Sequence, residues 1–429
     1  MAGLYEAVIE ELCADRREGR RVLPKIICST ATIRRYEDQI RALYGRVGEN
    51  GEAKAALFPP PGLDAGDSFF AKYARESDGT LCPGRKYIGV YAPGLSSLQT
   101  AQVRAFTALL QAPVSLPSGA ERDPWWTLML FFNSLRELGT TLTLFQSDIP
   151  DYLKVVRNRL GADWSEMRHR LNPLQLTGRS PSYEIPDAID ALEVTCSTSS
   201  DNQPVDVCLA SSIIEVGIDI DRLSLIAVVG QPKTTSQYIQ VTGRVGRSWW
   251  ERPGLVVTIY SPSKPRDRSH FEKFRSYHER LYAQVEPTSV TPFSPPVVDR
   301  ALHAVIVAYV RQVGNVRVAQ SPYPCPEKLI QQLRDIIIQR VRDVDPQEEA
   351  YFARVFDDRV NEWRDWEPTQ WGTVWQATED SLLMAAGAYA PPELALLIWP
   401  IPLSMRNVDA ECEVEITQLY LSGGDGANV

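Results

Sequence analysis

The sequence predicts an α/β domain built on a doubly wound parallel sheet, followed by a mainly helical domain. Between residues 86 and 262, short continuous apolar runs alternate with segments of helical periodicity. This is the pattern of strands that helices cover on both faces. From residue 263 onward apolar residues recur at helical spacing instead. With 429 residues, the chain is long enough for two or three domains.

The first 85 residues are less regular. Residues 4–13 place apolar side chains on one helical face, and the later segment IRRYEDQIRALYG also predicts a helix. Between them, RVLPKIICSTAT predicts a basic turn that leads into a short buried strand. We assign residues 1–45 to a piece of an α/β unit. Residues 46–85, with their FPPPG and CPG turns, are assigned to a linker or insertion.

Six apolar runs are the predicted strands of the α/β domain: KYIGVYA, TLMLFFN, TLTLF, VDVCLAS, LSLIAVVG and LVVTIY. Beyond them, helices are predicted near residues 266–283, 302–309 and 329–341. We assign residues 263–429 to a mainly helical accessory domain.

Composition excludes several classes of protein. Hydrophobic residues at 44% and charged residues at 23% are typical of a folded globular chain. Lys+Arg 45 against Asp+Glu 54 gives a net charge of −9, so a nucleic-acid contact requires a local basic surface. The seven cysteines form no CxxC pair and the four histidines show no ligand spacing, so we predict no metal site and reduced thiols. With no apolar leader and no membrane-length apolar run, we expect a cytoplasmic protein without a membrane partner.

The most informative stretch runs from residue 210 to residue 247. It contains a Gly-x-Asp and then Gln240-x-x-Gly243-Arg244-x-Gly246-Arg247. Arginines three residues apart on a helical turn point to one side, and two guanidiniums there can clamp a polyphosphate. The glycines would let the backbone pass close to a neighbouring domain. The alternative is a solvated or ion-paired arginine face.

These residues resemble motifs V and VI of superfamily 2 helicases, with SxxxEVGIDI as motif V and QxxGRxGR as motif VI. Three upstream elements resemble further motifs in the family's order: motif III at Thr30-Ala31-Thr32, motif IV at Phe131-Phe132-Asn133-Ser134, and a nucleic-acid motif at Leu176-Thr177-Gly178-Arg179. The resemblance implies RecA-like domains, the second of which is residues 86–262 here. It also makes residues 1–45 a remnant of the first such domain.

The resemblance implies a role for each matching residue. Arg244 and Arg247 would be arginine fingers on the γ-phosphate of ATP, positioned by Gln240. Nucleotide binding or its coupling to the strand would involve Gly217, Asp219, Gly243, Thr30 and Thr32. Nucleic-acid contacts would come from Ser211, Ser212, Thr177, Arg179, Asn133 and Ser134. The alternatives are structural: Asp219 as a turn cap, the serines as turn fillers, and the threonines as a polar strand end.

Two family elements are missing from the sequence. It contains no GxxxxGK[ST] loop and no DExH carboxylate pair, the parts that hold the phosphates and Mg²⁺. We therefore expect ATP and Mg²⁺ only when a helicase half that carries the P-loop completes the site. Because Met1 lies only about 30 residues before motif III, we expect a start just after motif II, as in a split gene or a truncated reading frame.

Later segments point to a narrower resemblance. SHFEKFRSYHERLYAQVEPTSVTPFSPPVVDRALHAVIVA and SMRNVDAE resemble the large helicases of the DISARM anti-phage defence system. This implies DNA and other defence-system subunits as partners. The alternative function is a non-catalytic module that binds nucleic acid or scaffolds a defence complex.

Three further groups leave two interpretations open. The run RREGRR at residues 16–21 is typical of a solvated helix end. A basic group could track a phosphate backbone or face solvent: Lys264, Arg266, Arg268, Lys273 and Arg275. A tryptophan group could stack on bases, but more often such residues pack a helical domain: Trp363, Trp366, Trp371 and Trp375.

Overall fold

A computed structural model describes residues 1–29, 35–48, 52–58, 72–169, 171–177, 184–196, 203–211, 219–286, 290–372, 380–385, 394 and 397–401. The chain divides into two compact units. Residues 58–286 form one, here called the sheet unit. Residues 1–57 and 287–429 form the other, here called the helical unit. Residues 263–286 thus group with the sheet, and the N-terminal segment groups with the C-terminal helices.

The described α-helices of the chain follow in order. The helical unit contributes α1 (Ala2–Leu12) and α2 (Tyr36–Tyr44). The sheet unit contributes α3 (Leu98–Gln111), α4 (Asp123–Trp126), α5 (Leu135–Gln146), α6 (Asp148–Leu160), α7 (Glu184–Glu193), α8 (Thr235–Thr242), α9 (Pro265–Glu272) and α10 (Phe274–Glu279). The helical unit resumes with α11 (Pro295–Val313), α12 (Val316–Gln320), α13 (Glu327–Val344) and α14 (Glu349–Trp366).

Six parallel strands form the sheet: β1 (Arg85–Tyr91), β2 (Leu128–Phe132), β3 (Pro173–Leu176), β4 (Val207–Ala210), β5 (Leu225–Val229) and β6 (Gly254–Tyr260). Their spatial order is β1-β6-β5-β2-β4-β3. The inner strands β2, β4 and β5 are buried along their whole length. Successive residues of β2 feed apolar clusters on opposite faces, Phe131 on one and Leu130 on the other. The predicted doubly wound parallel fold is confirmed.

Three details of the predicted secondary structure are wrong. TLTLF lies within α5, where Thr141, Leu144 and Phe145 share one buried helical face. Residues 21–29 form no strand. Strand β3 was not predicted, because its partly exposed residues do not form a continuous apolar run.

Helix α1 packs into the core of the helical unit. Leu4 and Val8 belong to the same apolar cluster as residues of α11 and α13. The apolar face of α1 is therefore buried within this unit. A short two-stranded sheet, β7 (Leu383–Met384) with β8 (Trp399–Pro400), completes the described part of the unit.

The tryptophans of the helical unit are core residues. Trp363 and Trp371 are buried and meet edge to face, with ring centroids 5.5 Å apart. The Trp366 indole N–H donates to the backbone oxygen of Ser381 at 3.0 Å. Trp375 lies outside the described residues. The packing interpretation is therefore confirmed for Trp363 and Trp371.

Buried acidic residues engage part of the N-terminal arginine run. Glu11 pairs with Arg16 and with Arg21, whose Nη2 lies 2.7 Å from Glu11 Oε2. Its neighbour Glu10 is buried between Arg46 and Arg340. The run is thus only partly a solvated helix end.

Within the described residues, no helix has the length and apolar character needed to cross a membrane.

Candidate functional site

Helix α8 is fixed at its N-terminus by two acceptors. The Thr234 hydroxyl caps the helix by accepting the Gln237 backbone N–H at 3.2 Å. The Glu286 carboxylate accepts the backbone N–H of Thr235 at 2.7 Å and its hydroxyl at 2.9 Å. A carboxylate at this end is also favoured by the helix dipole. The helix carries Gln240, which is half-buried, and ends at Thr242.

The interior side of α8 rests on neutral polar groups. The Tyr238 hydroxyl lies 2.9 Å from Thr258 Oγ1 and 3.1 Å from His278 Nε2. Burial raises the pKa of Tyr238 well above its ordinary value, and burial lowers the pKa of His278. Both groups are therefore uncharged near neutral pH, so this contact needs no counter-ion.

The two candidate arginines lie beyond the helix rather than on it. Arg244 and Arg247 occupy the turn that follows Gly243. Between them Gly246 has φ +62°, a left-handed conformation that ends helical geometry. The expectation that one helical turn presents both arginines is therefore wrong.

Glycine is required at 246 by space as well as by conformation. A Cβ there would lie 2.4 Å from the backbone nitrogen of Gly254, the first residue of β6. The Gly246 N–H also donates to the Leu223 oxygen at 2.9 Å, just before β5. We expected the glycines to accommodate a neighbouring domain. Instead, Gly246 fits the turn against its own sheet, at the amino ends of the strands.

Sequence reasoning missed Arg85, which holds this turn through hydrogen bonds to its backbone. Arg85 Nε donates to the Val245 oxygen at 2.9 Å, and its Nη2 donates to the Gly243 oxygen at 3.2 Å. Some 160 residues separate donor and acceptor, so no local pattern signals the contact.

Motifs V and VI meet through an ion pair. Arg247 Nη1 contacts the Asp219 carboxylate; the Arg247 side chain is partly exposed and the Asp219 side chain is exposed. The buried Nε of Arg247 has no acceptor among the residues that the structure describes. The pair thus presents a guanidinium at the amino edge of the sheet with donor capacity left over.

A second group of candidates meets at the opposite, carboxyl edge. Asn133, Ser134 and Ser211 line a pocket of about 160 Å³ together with Gln237, which sequence reasoning missed. Ser134 caps α5 by accepting the Glu137 N–H at 3.3 Å. Motifs IV and V, which are far apart in sequence, are therefore adjacent here, next to Gln237 of α8.

Asn133 also braces the sheet. Its Nδ2 donates to the oxygens of Val229 at 3.0 Å and Gly230 at 3.2 Å, at the end of β5. Its Oδ1 is buried and has no partner within the described part of the chain. Asn133 therefore has both a structural role and an acceptor still available.

Buried Asp267 joins the ends of β5 and β6. Its carboxylate accepts the N–H groups of Gln231 at 3.0 Å and Ser261 at 2.8 Å. Of the basic group that follows β6, Lys264 pairs with Glu137 and Arg268 pairs with Glu272 at 2.8 Å. The remaining members are exposed: Arg266, Lys273 and Arg275.

Comparison with known proteins identifies the central segment. Residues 165–248 match the family model described as the helicase conserved C-terminal domain. The chain contains a helicase C-terminal domain. The matched span includes β3, β4, β5 and α8 together with the motif VI turn, and β1, β2 and β6 complete the sheet outside it.

Two curated proteins are similar to this chain. The DISARM protein DrmA of Bacillus paralicheniformis is 41% identical over 313 residues, which cover 72% of this chain and 26% of DrmA. The ATP-dependent helicase Lhr-Core of Methanocaldococcus jannaschii is 26% identical over 34% of this chain and 13% of its own. The chain thus spans about a quarter or less of the length of each. The resemblance to DISARM helicases is confirmed.

Solved helicase structures are also similar to it. The DUF1998 helicase MrfA, bound to DNA and AMPPNP, aligns with 71% of this chain and 34% of its own, at 14% identity and a TM-score of 0.43. The Mycobacterium smegmatis helicase Lhr, bound to ssDNA and AMP-PNP, aligns with 80% of this chain and 34% of its own, at 16% identity and a TM-score of 0.42.

Five predicted site residues lie outside the residues that the structure describes: Thr30, Thr32, Arg179, Ser212 and Gly217. Thr177 directly follows β3. Motif V therefore leaves the sheet at Ser211, at the carboxyl edge, and returns at Asp219, beside Arg247 at the amino edge.

Proposed function

We propose that this chain supplies the second-domain half of an ATP-dependent superfamily 2 DNA helicase or translocase that acts in anti-phage defence. The observation that carries the proposal is the Arg247–Asp219 pair, which joins motif VI to motif V on a turn fixed to the sheet. Similarity to DrmA supports the defence role.

The arginine turn suits the phosphates of ATP. Arg244 and Arg247 are permanently charged, and the buried Arg247 Nε has no acceptor among the described residues. A bound triphosphate would accept from the exposed part of the Arg247 guanidinium. By family resemblance, Mg²⁺ would be held together with the phosphates by the half that carries the P-loop.

Asp219 is the proposed link between nucleotide and strand. It is now the partner of Arg247, and a γ-phosphate would compete for the same guanidinium. Displacement of Asp219 would shift the motif V segment, whose other end, Ser211, lies across the sheet. With strands of four or five residues, that separation is about 15 Å. One segment would then report nucleotide binding at the opposite edge.

The carboxyl-edge pocket is the proposed contact with the DNA backbone. Ser134, Ser211 and Gln237 can donate to a phosphate there, next to the N-terminus of α5. By family resemblance Thr177, Ser212 and Arg179 extend this contact. Such contacts position the strand without reading its sequence.

The test is DNA-stimulated ATP hydrolysis by this chain alone, by a P-loop-bearing first domain supplied as a separate polypeptide, and by their mixture. We expect activity only in the mixture. Arg247→Ala should lower that rate by about 10³-fold or more, because it removes an arginine finger. Arg159→Ala, an exposed arginine at the end of α6, is the matched control and should leave the rate unchanged.

Silence in the mixture together with salt-dependent DNA binding by this chain would contradict the proposal. That result would instead support the non-catalytic binding module.

A further inference from the structure

Two tryptophans follow motif VI on a surface turn. Trp249 and Trp250 are 37% and 69% exposed, although tryptophan usually buries most of its surface. Their rings meet edge to face with centroids 6.0 Å apart. The motif VI pattern does not include either residue.

The turn that carries them is anchored on both sides. The Ser248 oxygen accepts the backbone N–H groups of Glu251 at 3.0 Å and Arg252 at 3.2 Å, which closes the turn. Arg252 Nε then donates to Ser224 Oγ at 3.1 Å. On the other side the Gly246 N–H is bonded to Leu223. Both anchors lie directly before β5, so the indoles are presented with little loss of conformational entropy on binding.

The distance between Trp250 and Arg247 matches the length of a nucleotide. Trp250 is three residues from Arg247, so their Cα atoms are at most about 11 Å apart. This is the scale of an extended nucleoside triphosphate. Arg247 lies on the same segment, and its side chain is partly exposed, so its guanidinium can be reached by a ligand beside Trp250.

We propose that Trp250 stacks on the base of the nucleotide whose phosphates meet Arg244 and Arg247, with Trp249 supporting its ring edge to face. The proposal rests on the proposed function and adds a base site to it. Stacking uses the aromatic face that every base presents. The ligand class is therefore a nucleoside triphosphate, and free polyphosphate would use the arginines alone.

The experiment titrates ATP and inorganic tripolyphosphate calorimetrically into the mixture of this chain with the P-loop-bearing half, where the ATP site is complete. Trp250→Ala should weaken ATP binding about tenfold and leave tripolyphosphate binding unchanged. Trp250→Phe keeps an aromatic face and should stay within about threefold of the wild type for ATP. Trp164→Ala, which removes another tryptophan of the sheet unit with 41% exposure, is the matched control.

Two results would overturn the base site. These are ATP binding unaffected by Trp250→Ala, and an equal loss for ATP and tripolyphosphate. An unaffected ATP affinity would leave the indoles as a contact for a partner protein. Neither of these results decides the proposed function, because the reconstituted ATPase and its Arg247→Ala variant test that separately.

Discussion

The side chain of Arg85 reaches from the first residue of β1 to the backbone oxygen of Val245, 2.9 Å away. A second bond to the Gly243 oxygen, at 3.2 Å, makes the guanidinium a two-point support for the turn between Arg244 and Arg247. The part of the chain that would contact phosphate is thus held by a residue outside the helicase motifs.

Arg85→Ala should therefore impair catalysis as well as stability. Loss of the two bonds leaves part-buried carbonyl oxygens unsatisfied, which should lower the free energy of unfolding by about 2 kcal/mol. The reconstituted ATPase rate should fall about tenfold or more, because the arginines lose their fixed position. Lys86→Ala, at the exposed neighbouring residue, should change neither quantity. A destabilised variant with an unchanged rate would show that the turn does not depend on Arg85.

Gly246→Ala should be much more damaging than another substitution at a left-handed glycine. At Gly246 the new Cβ meets backbone at 2.4 Å, whereas at Gly161, with φ +65°, it meets nothing within 4 Å. Gly161→Ala should cost only the conformational strain, about 1–2 kcal/mol. Gly246→Ala adds a clash with Gly254 and should cost more than about 4 kcal/mol. Urea unfolding of the two variants measures the difference, and equal costs would mean that the turn can move away from β6.

Asp219→Asn should separate phosphate binding from its coupling to DNA. Removing the carboxylate frees Arg247, so tripolyphosphate should bind as well as before or up to about fivefold more tightly, the range of an exposed ion pair. Stimulation of the reconstituted ATPase by DNA should be lost, because Asp219 carries the motif V link. The same calorimetry and ATPase assays measure both effects. Weaker tripolyphosphate binding would instead show that Asp219 orients Arg247 for the anion.

The helical unit should lose stability on mild acidification through His303. This residue is buried, and its Nε2 donates to the Pro400 oxygen at 2.7 Å. Burial lowers its pKa from 6.5 to about 4, and Arg359 lowers it slightly further, against smaller upward effects of the Pro400 hydrogen bond and of Glu362. The unfolded chain therefore binds more protons between pH 6.5 and 4, so stability is fully present above pH 6.5 and falls below it.

At pH 5 the loss from this one group should be about 2 kcal/mol. Urea unfolding at pH 7.5 and at pH 5 measures it. His303→Gln cannot titrate and should show a pH dependence smaller by that amount. An identical pH dependence in the two proteins would exclude His303 as its source.

The sheet could be predicted from the sequence because strands buried on both faces consist almost entirely of apolar residues. β2, β4 and β5 are continuous apolar runs, as a strand covered on both faces must be. TLTLF misled because a short apolar run does not separate a strand from one face of a helix. In this chain Ser134 caps the N-terminus of α5, which stabilises the helical conformation of the segment.

The candidate site was less predictable than the sheet. Arg244, Arg247 and Asp219 belong to short sequence motifs, so the resemblance to helicases was enough to identify them. Their supports, Arg85 and Glu286, are single polar residues that join the site across long stretches of chain. Such contacts depend on strand order, which no local pattern encodes.

The helical unit consists of two chain segments, one before and one after the sheet unit in the sequence. Leu4 and Val8 leave the ribosome before the sheet unit, but their partners on α11 and α13 emerge only after the whole sheet unit has been translated. At about 5–20 residues per second, this delay is on the order of tens of seconds. Until then α1 remains an apolar nascent segment that a chaperone can bind.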